Sequence, residues 1–214
     1  MSATRLVAGQ PRRASPHESG ELARLIALAF DDLSVTSWLV PAREERARIL
    51  FPYFRIIVEH AMAHGRVETV PDRLAVAVWL PAGDPTVPPI ADYEQRRADA
   101  CGRHVERFAE LDEVMRANHP ADPPHEHLAF LAVRPSWQST GLGSRLLKHR
   151  HRELDTTGRP SYLEASTMSA ARLYLRHGYR HIGAPFAPVS CSASMWPVWR
   201  DPQPVVPKPS EDVR

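Results

Sequence analysis

The residues best able to do chemistry lie in the second half of the chain. Gln138-Ser139-Thr140-Gly141-Leu142-Gly143-Ser144 follows an apolar run, Leu128 to Val133, and leads into Arg145-Leu146-Leu147. Two glycines in such a turn let the backbone approach a bulky anion. The helix start that follows offers unpaired N–H groups and the positive end of a dipole. The combination suits a pyrophosphate, and Ser144 adds a hydroxyl. Gly-x-Gly alone is a weak signal, since a plain strand-to-helix turn looks the same. The third glycine of the dinucleotide fingerprint and the Lys-Ser/Thr pair of a P-loop are both missing.

Upstream, His125 and His127 stand at alternate positions at the entry to a strand, so they share a face. Imidazole can take up and release a proton near neutral pH. Glu164 lies in an apolar segment, where a lone carboxylate is costly. It is either a base with a shifted pKa or a group that hydrogen-bonds the backbone and holds two strands apart. Asp31, Asp32 and Glu126 are weaker candidates, better read as capping or solvated carboxylates. His125-x-His127 could give a metal two nitrogens. No cysteine cluster or second histidine pair at ligand spacing accompanies it, so no metal is expected.

The elements that must position these residues are legible from periodicity. Helical spacing of Leu22, Leu25, Ile26, Ala29 and Phe30 predicts a helix over 18–30. A second helix over 42–63 contains Pro52, which should kink or split it. Strands are expected at 66–70 and 74–80, a proline-rich loop at 81–90 and a helix at 93–116. Strand 127–133, helix 141–152, strand 161–165, helix 169–177 and strands at 179–182 and 191–199 complete the chain. Pro197 suggests that the last is an edge strand. Alternation of strand and helix implies an α/β sheet with parallel pairing in this half. Residues 1–16 read as a flexible segment with a possible first strand at Arg5-Leu6-Val7. Residues 17–200 read as one domain, and 201–214 as a proline-rich disordered tail.

Composition limits the functional classes. A chain of 214 residues with 43% hydrophobic and 24% charged residues fits one globular domain. A net charge of +2, with scattered arginines, gives no reason to expect a nucleic-acid partner. No apolar run is long enough to cross a membrane, and no secretory signal is evident, so a cytoplasmic location is expected. Cys101 and Cys191 read as free thiols.

Three linked motifs resemble one family. Gln-x-x-Gly-x-Gly after a strand ending in Val133-Arg134-Pro135 is similar to the acetyl-CoA signature of the GNAT acetyltransferases. Tyr162-Leu163-Glu164-Ala165-Ser166-Thr167 resembles the strand that follows it. The run from Ala170 through Tyr174 to Gly178-Tyr179-Arg180 resembles the closing helix and its Tyr-x-x-x-Gly-Phe corner. The match covers residues 125–183. Further upstream, Ala77-Val78-Trp79-Leu80-Pro81 before a long helix is similar to the puromycin N-acetyltransferase branch.

The resemblance implies a GNAT fold: an α/β architecture with a central mixed, twisted sheet, splayed at the acetyl-CoA site, and helices on both faces. It implies acetyl-CoA (coenzyme A) as cofactor. The backbone of Leu131, Ala132 and Val133, the turn Gln138, Ser139, Thr140, Gly141, Leu142, Gly143 and Ser144, and Tyr174 would hold it. Tyr174 would give a proton to the leaving sulfur, as a phenol of pKa ~10 can. Some arylalkylamine acetyltransferases carry histidines on the strand of His127. His127 falls at one such position and Ala129 at the other. The chain departs from the family at Ser139 and Thr140, where Gly and a basic residue are usual, so phosphate binding would lean on backbone N–H groups and Arg145. It departs again at Met168-Ser169, where Ser169 could cap the last helix. The implied function is transfer of an acetyl group to a primary amine of a small molecule by direct attack in a ternary complex, with the protein acting as monomer or homodimer. Acetylation of a peptide or protein amine and a non-catalytic acyl-CoA sensor are the alternatives.

Overall fold

The structure, a computed structural model, describes residues 9–204. A seven-stranded sheet runs in the order β1-β2-β3-β4-β5-β7-β6. Its strands are β1 (Arg12–Arg13), β2 (Arg66–Thr69), β3 (Ala75–Ala82), β4 (His125–Val133), β5 (Ser161–Ala165), β6 (Arg180–His181) and β7 (Trp196–Arg200). All neighbours are antiparallel except β4 and β5, which are parallel. The possible strand at Arg5-Leu6-Val7 lies outside the described residues.

Strand β3 shows how the sheet is covered. Val76 and Val78 enter one apolar cluster; Ala75, Ala77 and Trp79 enter another on the opposite face. A period of two with both sets apolar means that both faces are buried. On the first face pack α1 (Ser19–Phe30), α2 (Ser34–Leu39), α3 (Arg43–His64), α4 (Tyr93–Cys101) and α5 (Val105–Asn118). On the second lie α6 (Leu142–Thr157) and α7 (Met168–Leu175). In α6, Leu142, Leu146, Leu147 and Leu154 are buried at helical spacing.

Several expectations need correction. Pro52 does not split α3, which runs through it for 22 residues. The helix expected at 93–116 is two, separated at Gly102, whose φ of 51° with ψ of −128° no helix accommodates. The short α2 carried no sequence signal. Strand β7 begins at Trp196 rather than Cys191, and only an isolated bridge, Phe186 to Met195, precedes it. Nor is β7 an edge: it lies between β5 and β6. Pro197 is tolerated because β6 has only two residues. The Pro197 carbonyl accepts from the N–H of Ile182, just beyond β6, and its own nitrogen faces the side where that strand has run out. Ser169 does not cap α7; Thr167 does, its hydroxyl accepting from the N–H of Ala170 at 3.0 Å.

Candidate active site

Strands β4 and β5 pair only at Glu126–Ser161 and His127–Tyr162. Beyond these, β5 pairs with β7 alone while β4 stays paired with β3 as far as Val133. A seam therefore opens between β4 and β5, and the second half of β4 keeps one side of its backbone free of strand pairing.

On the α6/α7 face, the seam meets a cleft of about 450 Å³. Leu131 and Val133 form its floor, Gln138, Ser139 and Gly141 to Ser144 its rim, and Leu173 and Tyr174 of α7 its far wall. Gly141 precedes α6 with φ of 88°, a left-handed conformation natural to glycine. At Gly143 a Cβ would lie 3.6 Å from Leu131 Cδ2 and 3.8 Å from Val133 Cγ2, so it would fill the crevice between helix start and strand. Free N–H groups at a helix start beside an apolar slot fit a pyrophosphate joined to a pantetheine arm. Two of the expected residues do not line it with their side chains. Ala132 is buried on the other face of the sheet, and the Thr140 hydroxyl donates to the Trp137 carbonyl at 2.6 Å. Sequence reasoning passed over Thr167, Ser169, Leu173 and Arg176, which also line the cleft. Ser144 hydrogen-bonds His177 Nε2 at 2.9 Å, and Arg145 donates to the Gly9 carbonyl.

Ser139, where the family usually has glycine, has φ of 62°. A side chain in the left-handed region costs about 1–2 kcal/mol, of which glycine's extra freedom in the unfolded chain gives back part. Ser139→Gly is therefore expected to stabilise the protein by about 0.5–1 kcal/mol, read as a raised denaturant midpoint at unchanged slope.

The opposite face holds the titratable cluster. A shift of register between β3 and β4 pairs Val78 with Phe130 but Trp79 with Leu128, leaving Ala129 as a bulge. Leu131 and Val133 point to the α6/α7 face, and without the bulge His127 would too. The bulge turns His125 and His127 to the face of α5. There Tyr162 and Glu164 meet them from β5, and His119 from the residue after α5. His127 Nε2 lies 2.8 Å from Glu164 Oε2, and His119 Nδ1 lies 3.7 Å from Oε1.

The proton positions follow from the partners. His125 Nδ1 sits 2.8 Å from the Pro123 carbonyl, which can only accept, so Nδ1 carries hydrogen. Burial pushes the His125 pKa down, so the ring is neutral and its Nε2 accepts from His119 Nε2 at 3.0 Å. Likewise His127 Nε2–H donates to Glu164, so in the neutral form of the ring the lone pair is on Nδ1. Burial raises the Glu164 pKa, but the facing His127 and His119 outweigh it and hold the carboxyl below the usual range. Tyr162 is pushed up by burial and by Glu164, so its hydroxyl stays protonated. Tyr162 Oη and Glu164 Oε1 are buried without a hydrogen-bond partner among the described residues.

His119, His127 and Glu164 each bring a potential ligand atom within 4.8 Å of the others. Two donors around one tetrahedral ion with bonds of about 2.0–2.1 Å stand roughly 3.3 Å apart. The 2.8 Å separation of His127 and Glu164 is that of a hydrogen bond, so a proton joins them. The remaining carboxylate candidates are engaged elsewhere. Glu126 pairs with Arg150 at 3.0 Å and Arg159 at 3.4 Å, while Asp31 and Asp32 both pair with Arg43.

Comparison with known proteins agrees with this fold. A family model described as "Acetyltransferase (GNAT) domain" matches residues 100–181, from the end of α4 through β6. A histone acetyltransferase HPA2 and related acetyltransferase from Corynebacterium glutamicum superposes with a TM-score of 0.67 at 22% identity, over 92% of this chain and 99% of that one. Arylalkylamine N-acetyltransferase 2 from Aedes aegypti superposes with a TM-score of 0.62 at 10% identity, over 92% and 100%. A mosquito arylalkylamine N-acetyltransferase-like protein gives 0.56 at 17% identity, over 91% and 100%. The likenesses establish the fold across the chain. The matched segment holds β4, the turn, α6, β5 and α7, so the splayed part of the sheet and its cleft lie within the stretch that is similar to a GNAT acetyltransferase domain.

Proposed function

We propose that the protein transfers the acetyl group of acetyl-CoA to the primary amine of a small, apolar, aryl-bearing molecule, by direct attack in a ternary complex. The observation that carries this reading is the seam. It connects a cleft holding Tyr174 on one face with the His127–Glu164 pair on the other. Bound acetyl-CoA supplies an activated thioester. The residues of the chain then divide the work. Leu131, Val133 and the turn from Gln138 to Ser144 bind and orient the cofactor. Tyr174 donates a proton on the cleft side. His127 Nδ1 receives the ammonium proton on the other.

Glu164 is a positioning residue rather than a base. A carboxyl held below its ordinary range is a weak proton acceptor. It fixes the His127 tautomer and stabilises the imidazolium that forms, the arrangement used wherever a carboxylate backs a catalytic histidine.

Two features favour a small apolar acceptor over a peptide. The segment between β3 and β4 folds back so that His119, following α5, covers the cluster. Beside it Phe30, Phe54 and Phe130 stack edge to face, with centroids 5.0 to 6.0 Å apart, on the same face of the sheet. Phe30 and Phe130 are only half-buried. Such a wall suits an aryl or alkyl group next to the base.

The test is thiol release from acetyl-CoA with a panel of amines: arylalkylamines, puromycin, agmatine, polyamines and basic peptides. Rapid release with arylalkylamines is the expected result. Preference for a basic peptide would overturn the acceptor assignment. Cofactor binding with no amine-dependent release would leave the acyl-CoA sensor as the function.

A further inference from the structure

Beside the candidate site, a groove of about 660 Å³ runs along the outer side of α6. It adjoins the cleft, since Arg176 lines both, and His177 in its wall is bonded to Ser144 in the other. Its charge is one-sided. Lys148, Arg152 and Arg176 are exposed, and none has a carboxylate partner among the described residues. Elsewhere on the same helix the pairing is thorough: Arg150 bonds both Glu126 and Glu153. The one acid of the groove, Asp155, is neutralised by Arg200 at 2.7 Å. His177 registers this field. Burial, then Lys148, Arg176 and Arg200, push its pKa down. Uncompensated cations gathered around a concavity mark an anion site.

Its position selects the anion. Lys148 follows Ser144 by four residues, about one turn or 6 Å along α6. Coenzyme A carries, next to its pyrophosphate, a ribose bearing a 3′-phosphate. With the pyrophosphate at the start of α6, that phosphomonoester would lie nearest the cations of the adjoining groove, which shares Arg176 with the cleft.

We propose that this groove holds the 3′-phosphate of coenzyme A, with Lys148 and Arg176 as its partners and Arg152 adding to the field. The inference rests on the cofactor assignment made above. It gives the protein a means of distinguishing acetyl-CoA from its dephospho form. It also supplies, from α6 and α7, the positive charge missing at Thr140.

Calorimetry with acetyl-CoA and acetyl-dephospho-CoA tests it on the full chain. The wild-type protein is expected to bind acetyl-CoA about ten-fold more tightly, a preference that narrows as salt is raised. Lys148→Ala with Arg176→Ala is expected to weaken acetyl-CoA by about ten-fold and acetyl-dephospho-CoA by less than about two-fold. Lys148→Ala alone, outside the cleft, should show part of the same selective loss. Equal affinities in the wild-type protein overturn the proposal, as does a variant that loses both ligands alike. Failure of either ligand to bind at all overturns the cofactor assignment and this site with it.

Discussion

Tyr174→Phe is expected to lower kcat by about 10²–10⁴-fold and to leave the affinity for acetyl-CoA within about two-fold. The ring is buried against Tyr179, with centroids 5.7 Å apart at 70°, and only its hydroxyl is removed, so the packing of α7 survives. The hydroxyl has no protein hydrogen-bond partner among the described residues, and the residue lines the cleft. Burial, reinforced by Tyr179, raises its pKa above that of an ordinary phenol. The group therefore stays protonated at any pH where the protein works, and can only be a donor. The deficit of the variant should then be uniform across the neutral and mildly alkaline range, because no titration of Tyr174 falls there. Steady-state kinetics from about pH 6 to 9, with calorimetric affinities alongside, checks both parts. Full turnover by the variant at every pH would remove Tyr174 from the mechanism; a large loss of affinity would make it a binding residue instead.

The elements that shape the cleft were legible because their signals are local. Gln138 to Gly143, the strand before it and the helix after it form one continuous stretch from His125 to Thr157. Tyr174 and the Gly178 corner follow at a spacing dictated by one strand and one helix. The titratable cluster on the other face depends on tertiary structure that leaves little trace. The bulge at Ala129 hides inside an apolar run, Leu128 to Val133, that reads as an uninterrupted strand. Yet it decides which face His127 occupies. His119 stands outside any periodic element, before a cluster of prolines, and gains its role only because α5 folds back over β4. Pro197 misled for a related reason. A proline needs only a missing partner on one side, and a two-residue neighbour supplies that inside a sheet as well as at its edge. Ser169 was a reasonable cap by residue type, but Thr167 held the extended backbone that a cap requires.

Glu164→Gln separates the charge of the carboxylate from its shape. Glutamine can still accept the His127 Nε2–H through its amide oxygen, so the tautomer and the lone pair on Nδ1 are kept. What is lost is the negative charge facing the imidazolium that would form if the amine gives its proton to His127. A drop in kcat of about 10²-fold or more is expected, with acetyl-CoA affinity unchanged because the residue faces away from the cleft. A second readout comes from stability. The carboxyl sits below its ordinary 4.5 in the folded protein, because the two histidines outweigh burial. A depressed carboxyl stabilises the folded state above its unfolded pKa, and that stabilisation drains away as pH falls below about 4.5. Glutamine does not titrate, so the variant should lack this part of the acid-side slope. Wild-type and variant unfolding midpoints should converge as pH is lowered from 7 towards 3. The carboxylate is 98% buried, since its side chain is only 2% exposed, so the gap at neutral pH will be easily measured. A variant that matches wild-type turnover would leave His127 without need of its partner. Midpoints that stay a constant distance apart down to pH 3 would show that the Glu164 pKa is not depressed, and the carboxylate would again be a candidate base.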